Sequence, residues 1–363
     1  MKAVIIGFSH MHVNEIAQYI TQTDGFELIG IAKAPSDTAK VEPLRYTEEW
    51  NFSNVKENYC ANAYEDYREM LEELTPDYAF ILSENRQKLE IAAYCAKKGI
   101  NLCIEKPMAL NAKEAREIAD TASEYGVKLF INWPVLWRPY LHRLKSVLDS
   151  GIVGNPIKMH YLNGHTGPLG KGARHRGVSA NAEEMTDEQR ASTWWHQKRC
   201  GGGVYLDIAC YGCLFTEWFL GEGAKSISAI GDCLNTPFGD THDNFAAIVR
   251  FNDKMSVIEG TWTTPRAVIP SGPSLVCTEG AVICTGGAEN APDVKAYDIY
   301  GNEVEIPEFA LGDEYTNIAA HIMHHETTGA PVQSMVTPEE NIKVMKLLET
   351  VERSAYSGNS EAL

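Results

Sequence analysis

The chain has 363 residues, 44% of them apolar, and 49 acidic side chains against 32 basic ones, a formal charge of −17. That size allows two domains with sizeable cores, and the acidic excess argues against a nucleic-acid partner, which needs clustered Lys and Arg. No run approaches the roughly 18 apolar residues of a membrane helix, the opening "MKAVIIGFSHMHVNE" does not read as a secretory signal, and nine irregularly spaced cysteines fit reduced thiols in a cytoplasmic protein.

Strand and helix alternate through the first third. "KAVIIG" reads as a strand, "VNEIAQYITQT" as a helix and "FELIGIAKA" as a second strand. A polar connection then runs from Pro35 to about Asn62, longer than usual. "YEDYREMLEEL", "RQKLEIAAYCAKKG" and "NAKEAREIADTASEYG" read as helices, the last with Asn111 as N-cap. "DYAFILS", "NLCIEKP" and "VKLFINW" are the strands between and after them. Such alternation predicts a parallel sheet covered on both faces. After Pro139 a helix, "YLHRLKSVLDSG", leads into "IKMHYLNGHTG", and a polar loop follows from Gly167 to about Thr193. A glycine triplet and a helix come next. Then "AKSISAIGDCL", "NFAAIVRFND", "MSVIEGTWTT", "PSLVCTEGAVICTG" and "VKAYDIYG" predict a mostly antiparallel sheet. An amphipathic helix near 337–357 ends at Gly358.

Two motifs carry chemistry. In "CIEKPMAL" a strand delivers Glu105 and Lys106 to its carboxyl end, where open α/β sheets bind ligands. In "CGGGVYLDIACYGC" three glycines lead into a helix on which Asp207 and Tyr211, four apart, share a face. Cys210 and Cys213 form a C-x-x-C without a second pair, and read as core thiols. His321, His324 and His325 have metal-compatible spacing, and His10 and His12 stand close together, but none is read as a metal ligand.

"EKP" after the fifth strand, with "GGG-x-x-x-D-I-x-x-Y", resembles the Gfo/Idh/MocA oxidoreductases. "AYEDYREMLEELTPDYAFI", "LDSGIVGNPI", "VIEGTWTT" and the closing helix fall in the family's order, so the resemblance spans nearly the whole chain. It implies an α/β fold: a Rossmann domain over 1–131 and an α/β domain over 132–363 with a large, mostly antiparallel open sheet. The closing helix would pack back on the first domain, and the open sheet would form a homodimer or homotetramer. It implies hydride transfer between NAD or NADP and a secondary hydroxyl of a sugar, glycoside or polyol. Lys106, Asp207 and Tyr211 would be catalytic, with Lys106 tuning or sharing the Tyr211 proton. Many members carry histidine at the position of Tyr211; a tyrosine there resembles the glucose–fructose oxidoreductase and dihydrodiol dehydrogenase branch. Trp133, Arg138, Trp194, Trp195 and His196 would join Asp207 and Tyr211 around the substrate. Gly7, Phe8, Ser9, His10, His12, Lys33, Ser36, Ser83, Glu84, Asn85, Glu105, Lys106 and Pro107 would hold the cofactor.

The family's G-x-G-x-x-G is altered here. From Gly7, Ser9 and His12 stand at the later glycine positions, or three residues are deleted and the phosphate loop is shortened. Lys33 at the end of the second strand favours the 2′-phosphate of NADP over NAD. Two rival readings share the motifs: a glycosidase-like relative with transient oxidation and elimination, and a non-catalytic sensor.

Overall fold

The computed structural model describes residues 1–236, 238–265, 272–285 and 293–363. The first layer is β1 (Lys2–Ile6), α1 (Val13–Gln22), β2 (Glu27–Ala32), α2 (Glu48–Asn58), β3 (Ala63–Tyr64), α3 (Tyr67–Glu73), β4 (Tyr78–Ile81), α4 (Lys88–Lys97), β5 (Asn101–Glu105), α5 (Ala112–Glu124) and β6 (Leu129–Asn132). Its six strands are parallel in the order β3-β2-β1-β4-β5-β6. That is the doubly wound arrangement, whose crevice opens where the order reverses beside β1 and β4. β1 is buried over Ala3–Ile6 and β4 throughout, as strands covered by helices on both faces must be.

The second layer contains α6 (Pro139–Ser150), β7 (Pro156–Gly164), α7 (Asp187–Ser192), α8 (Cys210–Phe215), β8 (Ser226–Asp232), β9 (Asn244–Arg250), β10 (Met255–Thr261), β11 (Gly272–Cys277), β12 (Gly280–Thr285), β13 (Asp293–Asp298), β14 (Glu303–Val304), α9 (Ile318–Thr328), α10 (Pro338–Ser357) and β15 (Glu361–Ala362). Its nine strands run β14-β13-β12-β11-β7-β10-β9-β8-β15, antiparallel except for β7 beside β10. Alternation in β9 sends Phe245, Ala247 and Val249 inward and Ile248 outward. The outward face of this sheet leaves Ile230, Ile248 and Val276 exposed. α10 packs against β8 and against α5, and so ties the two layers together. The Trp133 indole donates to Asn341 on α10 at 2.8 Å, and Ser354 accepts from the Ala229 amide of β8 at 2.8 Å.

Two polar stretches hold structure that periodicity does not reveal. The Pro35–Asn62 connection contains α2, whose buried positions are Asn51, Phe52 and Val55. Asn51 is fully buried and donates to the Phe8 and Tyr46 carbonyls at 3.0 and 3.1 Å. A polar side chain fills a core position there, so the apolar stripe is broken. The 167–193 loop contains α7, opened by a Thr186–Gln189 capping box.

The chain leaves β1 at Gly7 with φ +86°, and a Cβ there would stand 2.6 Å from the Ser83 backbone. Both the conformation and the space demand glycine. Gly7→Ala is expected to destabilise the fold by about 2 kcal/mol or more, read as a lower urea midpoint; an unchanged midpoint would show that the turn is not held against Ser83.

Candidate functional site

Three segments meet at the carboxyl edge of the parallel sheet: the Gly7–His12 loop after β1, Glu105–Pro107 after β5, and the helical run 205–220. That run is α8 flanked by π-helical turns at Tyr205–Ala209 and Thr216–Leu220. The first π turn carries Asp207, and such turns recur at functional sites. Between the segments lies a cavity of about 520 Å³ lined by His10, His12, Lys106, Arg138, His165, Asp207 and Tyr211, among others.

Lys106 stands at its floor, 1% exposed. Its Nζ donates to Asp207 Oδ1 at 3.2 Å and to the Asp207 carbonyl at 3.1 Å, and lies 4.6 Å from the Tyr211 ring centre. Burial alone would depress the ammonium, but Tyr211, Cys210, Asp207 and Glu105 outweigh it, and the pKa rises well above the ordinary value. Asp207 also accepts from Trp262 Nε1 at 2.8 Å and meets His165 Nε2 at 3.1 Å. Burial would raise its carboxyl; Lys106, His165 and Trp262 overcome that and hold it well below the carboxylate range. Burial raises the Tyr211 phenol despite the neighbouring ammonium. Burial therefore opposes, and the Lys106 ammonium favours, the expected role of Tyr211 in sharing a proton with Lys106.

Beneath the site, Lys88 is fully buried and donates to Asn85 Oδ1, the Glu105 carbonyl and the Pro107 carbonyl at 2.8, 2.6 and 2.7 Å. Burial pushes its pKa down to about 7. Three acceptors around one nitrogen nonetheless match the three protons of an ammonium, and this geometry is the better guide to its charge. Lys88 fixes the backbone that presents Lys106.

Several expected contacts are corrected. Trp133 is fully buried behind Tyr211, their ring centres 5.7 Å apart, and does not line the cavity. Trp194 and Trp195 face a second cavity of about 270 Å³ rather than the Lys106 site. His196 is buried against Trp262 and Phe238, and its pKa falls to about 4, chiefly through burial. It is a neutral core residue. The glycine triplet serves the fold. Gly201 and Gly203 have φ +79° and +101°, and a Cβ on Gly202 would stand 2.3 Å from the Trp195 carbonyl. Arg138 does reach the cavity.

Among the cofactor candidates, Phe8 is buried against Phe52. Ser83, Glu84 and Asn85 are buried in protein contacts. Glu84 binds Arg86 Nε at 2.7 Å and Ser36 at 2.6 Å, and Asn85 donates to the Gly201 carbonyl at 2.8 Å. Lys33 is claimed by Glu49 at 2.8 Å and Glu65 at 3.1 Å, so it is not a free cation for a 2′-phosphate. Ser9 donates to Glu48 at 3.3 Å, and its carbonyl accepts from Trp194 Nε1 at 2.9 Å. His10 lies under Trp195 with ring centres 5.1 Å apart. His12 meets Glu105 at 2.9 Å, and Pro107 follows a cis peptide bond. The structure adds His165 and Trp262 as partners of Asp207. His165 stands in "NGHTG" directly after β7, and a histidine between glycines at a strand end was the available signal. Nothing local marked Trp262, which reaches Asp207 only through the sheet.

Burial, with Glu84 nearby, lifts the Glu48 carboxyl from its ordinary 4.5 to about 7. The folded state thus binds the proton more tightly than the unfolded chain. Stability falls as pH rises from about 4.5 to 7, and the penalty is complete above 7. Glu48→Gln is expected to raise the urea midpoint relative to the native chain at pH 8 and to leave it unchanged at pH 4.5; an equal effect at both would refute the shift.

Residues 1–133 match the oxidoreductase family with an NAD-binding Rossmann fold, and residues 141–283 match the Gfo/Idh/MocA C-terminal domain. A trans-1,2-dihydrobenzene-1,2-diol dehydrogenase from Xenopus tropicalis is 21% identical over 257 residues, 70% of each chain. A myo-inositol 2-dehydrogenase from Thermotoga maritima is 22% identical over 207 residues, 57% of this chain and 55% of that protein. Among solved structures, the aldose-aldose oxidoreductase of Caulobacter crescentus complexed with glycerol superimposes with a TM-score of 0.77 at 14% identity, over 100% of this chain and 99% of that one. The WlbA dehydrogenase of Bordetella pertussis, in complex with NADH and UDP-GlcNAcA, gives 0.76 at 17% identity, over 100% and 98%. These matches, with the fold and the Lys106–Asp207–Tyr211 site, make the chain a member of the Gfo/Idh/MocA oxidoreductase family.

Proposed function

We propose that the protein is an NAD-linked oxidoreductase acting on a secondary alcohol or ketone of a sugar or polyol. The observation that carries this reading is the buried Lys106 ammonium between Asp207 and Tyr211 at the floor of a 520 Å³ cavity. A bound nicotinamide would supply or accept the hydride. Lys106 enters charged, so the direction best served is reduction, in which its Nζ gives a proton to the carbonyl oxygen. Asp207 stays anionic and steadies the ammonium. The neutral Tyr211 hydroxyl donates to a substrate oxygen, and Arg138 and His165 border the same space.

The cavities on either side of the Gly7–His12 loop fit the two ends of a dinucleotide, the nicotinamide half beside Lys106 and the adenosine half beside Lys33 and Ser36. Between them Trp194 bridges to Ser9. In this reading the Trp194–Ser9 contact opens for a dinucleotide to span both cavities. Glu48, Glu49 and Glu65 surround Lys33; carboxylates accept from ribose hydroxyls and repel a 2′-phosphate, which favours NAD over NADP. A second copy of the chain would cover the outward sheet face at Ile230, Ile248 and Val276.

The same Trp194 contact favours a second reading, a sensor that binds a small polyhydroxylated ligand without turnover. Calorimetric titration separates the two. NAD⁺ is expected to bind at least about tenfold more tightly than NADP⁺, a difference of about 1.4 kcal/mol. Trp194→Phe removes a hydrogen bond of about 1 kcal/mol and is expected to tighten NAD⁺ binding about fivefold. Failure of both chains to bind NAD⁺ would leave the sensor. In a screen of keto-sugars monitored by NADH oxidation, Lys106→Met should lower kcat by about 10²–10⁴-fold; retained turnover in a folded variant would end the assignment.

A further inference from the structure

We propose that His10, His12 and Glu105 bind one divalent first-row transition-metal ion at the edge of the 520 Å³ cavity. One ligand atom from each residue lies within 4.8 Å of the other two, and ligands with bonds of about 2.1 Å to one ion stand at most about 4.2 Å apart. Only a small inward movement is needed. His12 Nδ1 and Glu105 Oε1, 2.9 Å apart, already have the spacing of adjacent ligands.

A second observation points to a missing ligand. His10 is 3% exposed, and its Nε2 has no hydrogen-bond partner. A buried polar atom without a partner costs free energy and calls for an explanation. The His12 amide donates to His10 Nδ1 at 3.3 Å, which places the ring proton on the unpartnered Nε2, and an ion bound there displaces that proton. Glu105 is also oriented by the protein: Asn132 donates to its Oε2 at 2.7 Å and is itself held by Trp137 at 3.1 Å. Such outer contacts are how proteins aim metal ligands. His321, by contrast, is committed through both nitrogens, to Glu314 and to the Gln333 amide.

Two imidazoles and a carboxylate suit zinc, iron or manganese better than calcium or magnesium. His10 and His12 both line the cavity, so the open coordination positions face it and would take an oxygen-rich ligand. The Lys106 ammonium nearby is bound to Asp207, which offsets its repulsion of a cation.

The inference goes beyond the oxidoreductase reading and is tested without dinucleotide or turnover. The full chain, stripped with chelator, is titrated with Zn²⁺. One equivalent is expected to bind, with affinity lowered at least about 100-fold in His12→Gln and Glu105→Gln and unchanged in His324→Gln. X-ray absorption of the zinc-loaded native chain needs no variant and should show imidazole and oxygen only. Sulfur in the coordination shell would assign the metal to cysteines such as the exposed Cys233 and overturn the proposal. Absence of Zn²⁺ binding, or binding unaltered in both variants, would overturn it equally.

Discussion

The pair between Lys106 and Asp207 is the constraint around which the molecule is arranged. One partner ends a strand of the parallel sheet, and the other stands on a helical run that packs under the antiparallel sheet. Removing two such charges from water costs several kcal/mol per ion, which attraction alone seldom restores. The chain meets that cost with hydrogen bonds. Asp207 has Trp262 and His165 on its second oxygen, and the backbone presenting Lys106 is gripped by Lys88. Of these contacts the Lys106–Asp207 pair is the one that crosses between the layers: Lys88 grips the end of β5 from within the first, and Trp262 and His165 hold Asp207 from within the second.

The same logic explains which charge each group carries. Tyr211 and Lys106 share one buried space, and the medium disfavours phenolate and ammonium alike. Around the ammonium, Tyr211, Cys210, Asp207 and Glu105 together outweigh burial, whereas for the phenol burial outweighs the one ammonium beside it. The site therefore sets the Lys106 ammonium against the Tyr211 ring in one buried space.

Much of this was legible in the sequence where a residue's role is local. "EKP" at a strand end and the Asp207–Tyr211 spacing located the pocket floor, because strand and helix periodicities are short-range. Roles set by tertiary packing were not legible. Trp194, Trp195 and His196 look like a substrate-facing aromatic cluster, yet they turn onto the β1 loop and into the core. α2 was hidden because Asn51 occupies a core position with hydrogen bonds in place of apolar surface. Lys33 reads as a free cation until α2 brings Glu49 to it from sixteen residues away.

The altered loop and the tryptophan pair are best understood together. Small residues at positions 9 and 12 would leave room over the start of α1. Here His10 rises against Trp195, Met11 joins Tyr46, Leu169, Trp194 and Trp195 in a small apolar cluster, and Trp194 seals it by bonding to Ser9. Gly177 closes the other flank, where a Cβ would stand 2.7 Å from the Glu15 amide. Loop and cover are complementary surfaces that bury one another. Ser9 meets this cluster through its backbone carbonyl, and His12 stands outside it, lining the larger cavity. The loop turns its two imidazoles to the larger cavity, His12 against Glu105.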